Sequence, residues 1–142
     1  MLRLESIHKT FFTGTVNEKK ALTDVNLHLK AGDFVTVIGS NGAGKSTLLN
    51  ICAGRLQADE GAILISGENV SEMTEHDRAR YIGRVFQDPM AGTSPSMTIE
   101  ENLSLALQRG KSRTLRFGVT KKKRDFFREQ LALLELGLED RL

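Results

Sequence analysis

No apolar run in this 142-residue chain approaches the roughly 18 residues that a membrane-spanning helix needs. The opening MLRLESIHKT likewise has no apolar stretch of signal-peptide length. These absences predict a cytoplasmic protein. Cys52 is the single cysteine, so no disulfide can form within the chain, and no Cys or His cluster has the spacing of a zinc site. A disulfide scaffold and a structural zinc module are thereby excluded. With 39% hydrophobic and 27% charged residues, the chain suits one globular domain with its own core, or part of one.

Charge is present but unevenly placed. The net charge is only +2, yet residues 109–124 hold eight cations (Arg109, Lys111, Arg113, Arg116, Lys121, Lys122, Lys123 and Arg124) and no acid, leaving the remainder at −6. Such a stretch suits phosphates, a nucleic acid or anionic lipid. A solvated loop running into a helix start is the simpler reading of it.

The first third alternates apolar and polar residues. LRLESI and ALTDVNLHLK, with Leu22, Val25, Leu27 and Leu29 mostly at every second position, read as strands joined by a polar loop around Gly14. FVTVI, residues 34–38, is dominated by β-branched residues and predicts a strand buried on both faces, as in a parallel sheet. Leu48, Leu49, Cys52 and Leu56 then define one face of a helix with Gly54 near its end. AILIS reads as a short strand, GENVSEMTEHDRARY as a turn and a short surface helix, and IGRVF as a second core strand. QDPMAGTSPSM is loop, and Thr98 with Glu101 forms a capping box opening a helix that carries Ile99, Leu103, Ala106 and Leu107 on one side. Phe127, Leu131, Leu134 and Leu138 define a last helix expected to finish near Gly137.

Between the predicted strand 34–38 and the predicted helix stands GSNGAGKST, in which Gly39, Gly44, Lys45 and Ser46 satisfy G-x-x-x-x-G-K-[ST]. The chemistry accounts for each residue. Glycines let the loop turn its backbone N–H groups inward as a nest for an anion, and the helix start adds its own N–H groups and positive dipole end. Lys45 is expected to reach β and γ phosphates, Ser46 to offer its hydroxyl to Mg²⁺, and Thr47 to make a further phosphate contact.

The wording VTVIGSNGAGKSTLLN resembles the Walker A region of the ABC-type ATPases. LESIHKTF resembles that family's first strand with its adenine-stacking aromatic, ALTDVNLHLKAGDFV the strand pair before Walker A, and GRVFQDP the segment ending in the Q-loop glutamine. Motifs in the family's order thus span nearly the whole chain. The resemblance implies an α/β fold, a P-loop NTPase core with an N-terminal antiparallel β subdomain and the start of a helical subdomain. It divides the chain at about residues 1–87 and 88–142. It implies ATP and Mg²⁺ as ligands, with Gly39, Ser40, Asn41, Gly42, Ala43, Gly44, Lys45, Ser46 and Thr47 as the phosphate loop. Phe11, or Phe12 in the neighbouring register, stacks on adenine. Gln87 joins Ser46 at the metal and Lys45 in catalysis, its neutral amide able to donate and accept.

The resemblance also breaks off. No LSGGQ signature, no apolar Walker B strand ending in Asp-Glu and no switch histidine occurs before Leu142. The expectation is therefore an incomplete domain, the N-terminal part of one that in the family runs to roughly 200 to 250 residues. It is expected to bind ATP without turning it over, and one edge of strand 34–38 is left without its Walker B neighbour. For the complete protein the resemblance implies an ATP-hydrolysing subunit that drives solute transport through separate transmembrane permease subunits. It would work as a pair of such domains, peripheral on the inner face of the membrane. The alternative is a soluble ABC-type ATPase acting on a ribosome or nucleic acid through the basic stretch. A GTPase is disfavoured because no Asn-Lys-x-Asp guanine reader occurs.

Overall fold

The computed structural model describes residues 1–109, 111 and 119–142. The chain divides into two compact units, Met1–Gly83 and Arg84–Leu142.

The first unit is built on a four-stranded sheet, β1 (Leu2–Phe11), β2 (Lys19–Leu29), β3 (Glu60–Ile65) and β4 (Glu68–Asn69), in the order β2-β1-β3-β4 with every pairing antiparallel. Two helices accompany it, α1 (Lys45–Ala53) and α2 (Glu75–Arg78). Leu4, Ile7, Leu22, Ile51, Ile63, Ile65 and Val70 form its buried core. The imperfect alternation in the sequence has a structural cause. Ser6 (φ 46°) and Asp24 (φ 50°) sit in left-handed backbone, and the β1–β2 register shifts between Leu4 and Ile7. Each bulge adds a residue, so that apolar side chains three apart return to the core face. Asn26 ties the two bulges together, accepting from the Ser6 N–H at 2.8 Å and donating to the Asp24 carbonyl and carboxylate at 3.0 Å. β3 crosses at this point through Gly61 (φ 102°), where a β-carbon would collide with the carbonyl oxygens of Glu5 and Ser6. Only glycine fits there.

α1 ends as the sequence predicts, on a left-handed Gly54 whose N–H bonds the Asn50 and Ile51 carbonyls. Its buried face differs from the predicted one. Ile51 is fully buried, Leu48 and Cys52 pack partly against the core, and Leu49 is exposed. At 100° per residue Leu49 falls off the stripe that Leu48, Ile51 and Cys52 share.

Neither predicted core strand forms. Residues 34–38 and 82–86 carry no strand, with Phe34 93% and Val85 98% exposed. The reason is pairing. A strand buried on both faces of a parallel sheet needs neighbours to satisfy its backbone groups, and every ladder among the described residues is antiparallel and belongs to β1–β4.

The second unit contains α3 (Ile99–Ala106) and α4 (Lys121–Ala132), with 3₁₀ turns at Pro89–Gly92 and Glu139–Arg141. The capping box is present: the Thr98 hydroxyl accepts from the Glu101 N–H, and the Glu101 carboxylate accepts from the Thr98 N–H. On α3 the buried residues are Glu100 and Ser104, while Ala106 is exposed. Phe127 and Leu131 are buried on α4, but the helix stops at Ala132, short of Gly137, and Leu134 is exposed. Of the basic stretch, residues 110 and 112–118 lie outside the described residues.

Candidate functional site

The loop between Ile38 and α1 closes on itself. Ala43 N–H bonds the Ser40 carbonyl at 3.2 Å, and Gly42 (φ 80°) and Gly44 (φ 86°) take the left-handed conformations that turn the chain. Gly44 is also the N-cap of α1, and no side chain caps that end. The N–H groups of the first turn are therefore not consumed by a capping oxygen. Gly44 further lies so close to β2 that a β-carbon would stand 2.5 Å from the Ala21 carbonyl oxygen and 3.0 Å from the Leu22 side chain. Contact with the strand thus fixes where the helix begins.

The Lys45 side chain folds back over the loop, its Nζ donating to the carbonyls of Gly39 at 2.7 Å and Ser40 at 2.8 Å. A cation is in this way held at the loop's centre by two dipoles.

A cavity of about 270 Å³ opens against the loop, lined by Phe11, Lys19, Ala21 and residues Asn41 to Thr47. The structure thus brings Phe11, at the end of β1, together with Asn41, Gly42, Ala43, Gly44, Lys45, Ser46 and Thr47. Gly39 and Ser40 contribute their carbonyls to Lys45 and do not line the cavity. Phe12 is not among the lining residues; it takes φ 56° and is 69% exposed. Lys9 stands beside the Phe11 ring, its Nζ 5.9 Å from the centroid, and pairs with Asp59 at 2.6 Å. The Lys9 ammonium, with the Thr10 N–H, holds the Asp59 carboxyl below the usual aspartate range.

Lys19 and Ala21 are cavity residues that the sequence did not announce. Their place follows from β1–β2 pairing, in which Phe11 lies opposite Lys19, and no local pattern encodes that register.

Gln87 belongs to the second unit. It is exposed, at a bend before Asp88, whose side chain accepts from the Met90 N–H at 2.9 Å and caps the 3₁₀ turn Pro89–Gly92.

A glycine-turned loop leading into an uncapped helix, with a lysine at its centre and hydroxyls in the first turn, defines a P-loop NTPase. The family model for the ABC transporter matches residues 22–141, and the chain belongs to that family. Among curated relatives, the tyrosine transport ATP-binding protein of Clostridioides difficile is 41% identical over 111 residues, covering 78% of this chain and 44% of that protein. The choline transport ATP-binding protein OpuBA of Bacillus subtilis is 34% identical over 139 residues, covering 98% of this chain and 33% of its own length. The chain thus spans less than half the length of these relatives. Among solved structures, the ATP-binding cassette MJ0796, in a dimeric post-hydrolysis state bound to ADP and Pi, matches with a TM-score of 0.72 and 30% identity, covering 100% of this chain and 63% of the other. A nucleotide-free ATP-binding cassette from an ABC transporter matches at 0.72 and 30%, covering 96% and 54%. The fold is accordingly that of an ABC ATPase cassette, in part. No helix among the described residues is long and apolar enough to cross a membrane.

Proposed function

We propose that the chain is the Walker A half of an ATP-binding cassette, and that the full-length protein binds and hydrolyses ATP to drive solute transport through separate transmembrane permease subunits. The observation that carries this reading is that one cavity is lined by Phe11 together with Lys45, Ser46 and Thr47. An aromatic face, a cationic loop and hydroxyls in one cleft match the base and polyphosphate of a nucleoside triphosphate. The names of the relatives, which concern tyrosine and choline transport, support the transport role. The dimeric cassette among the solved structures supports a pair of domains as the working unit.

Each residue then has a task. Phe11 stacks on adenine, the backbone N–H groups of Asn41, Gly42, Gly44 and Lys45 cradle the phosphates, and Lys45 stabilises charge on the β and γ oxygens as it shifts during phosphoryl transfer. Ser46, in the cavity wall at the helix start, would hold Mg²⁺ through its hydroxyl; Gln87, the counterpart of the family's Q-loop glutamine, would supply a second ligand and orient the attacking water. Mg²⁺, when bound, neutralises charge on the phosphate oxygens. In this reading residues 1–87 form the β subdomain and P-loop core, residues 88–142 open the helical subdomain, and the protein sits on the inner membrane face through the permease.

The test is Mg-ATP binding and phosphate release by the full-length protein, with GTP as competitor, and its recovery with membranes. Tight, ATP-preferring binding and membrane recovery are expected. An absence of binding would overturn the nucleotide site. Salt-dependent RNA binding without membrane recovery would favour the soluble alternative, whose basic stretch has one of its cations, Arg124, already paired with Glu100.

A further inference from the structure

We infer that Lys19 is a further nucleotide contact, a cation that meets the α-phosphate between the base platform and the phosphate loop. This rests on the nucleotide reading of the cavity and adds a residue to it.

The cavity wall contains two cations, Lys19 and Lys45, and no carboxylate. Such a lining selects an anion. The three lysines near the cleft are in different situations. Lys9 is paired with Asp59 at 2.6 Å. Lys45 is turned onto the Gly39 and Ser40 carbonyls. The Lys19 ammonium, among the described residues, has neither an ion pair nor a hydrogen-bonded partner. Its charge is uncommitted although it stands in the wall of a cleft.

Placement says which part of the ligand it meets. Lys19 is the cross-strand partner of Phe11 at the loop end of the β1–β2 hairpin, so the two side chains leave the sheet on the same face. Its ammonium also overhangs the loop, since a β-carbon added at Gly42 would lie 3.2 Å from Nζ. The position is therefore bounded by the base platform on one side and the phosphate loop on the other. Between the adenine and the β-phosphate of a nucleotide lie only the ribose and the α-phosphate, and only the latter is charged. A flexible ammonium stem suits a single-point contact with it.

The experiment is calorimetric titration of the full-length protein and its Lys19→Met and Lys19→Arg variants with Mg-ATP, Mg-ADP and pyrophosphate, with Lys45→Ala alongside and folding checked by circular dichroism. Lys19→Met is expected to weaken ATP and ADP alike, by about three- to tenfold for a partly solvated cation–anion contact, and to leave pyrophosphate binding unchanged. Lys19→Arg should restore affinity. A loss confined to ATP, or an equal loss with pyrophosphate, would put the charge at the terminal phosphates and overturn the assignment. An unchanged Lys19→Met, with Lys45→Ala still impaired, would overturn this inference alone. Failure of the unmodified protein to bind any of the three ligands would overturn the nucleotide reading itself.

Discussion

The Arg124 guanidinium clasps the Glu100 carboxylate through two bonds, Nε to Oε2 at 2.9 Å and Nη2 to Oε1 at 2.7 Å, and so joins α4 to α3. Two such bonds fix orientation as well as distance. In the sequence Arg124 is one of eight cations in a stretch that reads as solvated or anion-binding. In the fold it is a structural partner for a buried acid.

This pair makes the acid limb of stability predictable. The hydrogen bond from Arg124, and then its charge, hold the Glu100 carboxyl below the usual glutamate range. A carboxyl depressed on folding adds stability that is fully present above its unfolded value, about 4.3, and is lost as pH falls through the lower folded value. Thermal midpoints measured from pH 7 to pH 3 should fall more steeply for the unmodified protein than for Glu100→Gln, and the gap between them should close at the acid end. Parallel curves would show that the pair contributes nothing on balance.

Lys45→Ala is expected to weaken Mg-ATP binding by about 1.5 to 3 kcal/mol, or roughly ten- to hundredfold, because phosphate charge in the cleft loses its hydrogen-bonded cation. The Lys45 ammonium already sits at the centre of the loop on the Gly39 and Ser40 carbonyls, so little reorganisation separates it from a ligand. Equal affinities in titrations of the two proteins would remove the loop from the argument.

Phe11→Ala should weaken ATP binding by about 1 to 3 kcal/mol, the scale of base–aromatic stacking, and leave pyrophosphate binding nearly untouched. Phe12→Ala should leave both affinities unchanged, since Phe12 lies outside the cavity wall. The opposite pattern would exchange the roles of the two residues.

The sequence announced whatever depends on local chemistry. The Gly39 to Ser46 spacing, the Thr98–Glu101 box and the glycine stop at Gly54 are each dictated by backbone geometry within a few residues, and the last two appear as expected. It failed where the outcome depends on distant pairing. Phe34–Ile38 has the composition of a buried strand, but composition cannot supply the neighbouring strand that would bury it. Lys19 enters the cavity only through its register with Phe11, and the breaks in alternation at Leu4/Ile7 and Leu22/Val25 needed the bulges at Ser6 and Asp24 to make sense. Arg78 was hidden for a related reason, since a short polar helix gives no sign that one of its cations is enclosed.

That arginine supports the last prediction. Arg78, at the end of α2, is completely buried, and its guanidinium donates to five backbone carbonyls. Nη1 reaches Ile51 at 2.6 Å and Cys52 at 3.2 Å in the last turn of α1; Nη2 reaches Val70 at 2.5 Å, Ser71 at 3.0 Å and Met73 at 3.1 Å. A cation at the C-terminal end of a helix complements its dipole and satisfies carbonyls that the helix cannot. Here it also binds that end of α1 to the segment leading into α2. The fit is close, since a β-carbon at Gly54 would stand 3.1 Å from Arg78 Nε. Arg78→Met should lower unfolding free energy by about 3 kcal/mol or more, because it strands several buried carbonyl oxygens at once. Arg78→Lys should recover only part of this, since one ammonium cannot serve both groups of acceptors. Gly54→Ala should also destabilise, through its left-handed backbone (φ 81°) and the crowding against Arg78. Urea midpoints of the full-length protein decide the matter. A change under about 0.5 kcal/mol for Arg78→Met, the range of an ordinary surface substitution, would mean that the five bonds merely replace contacts with water at no net gain.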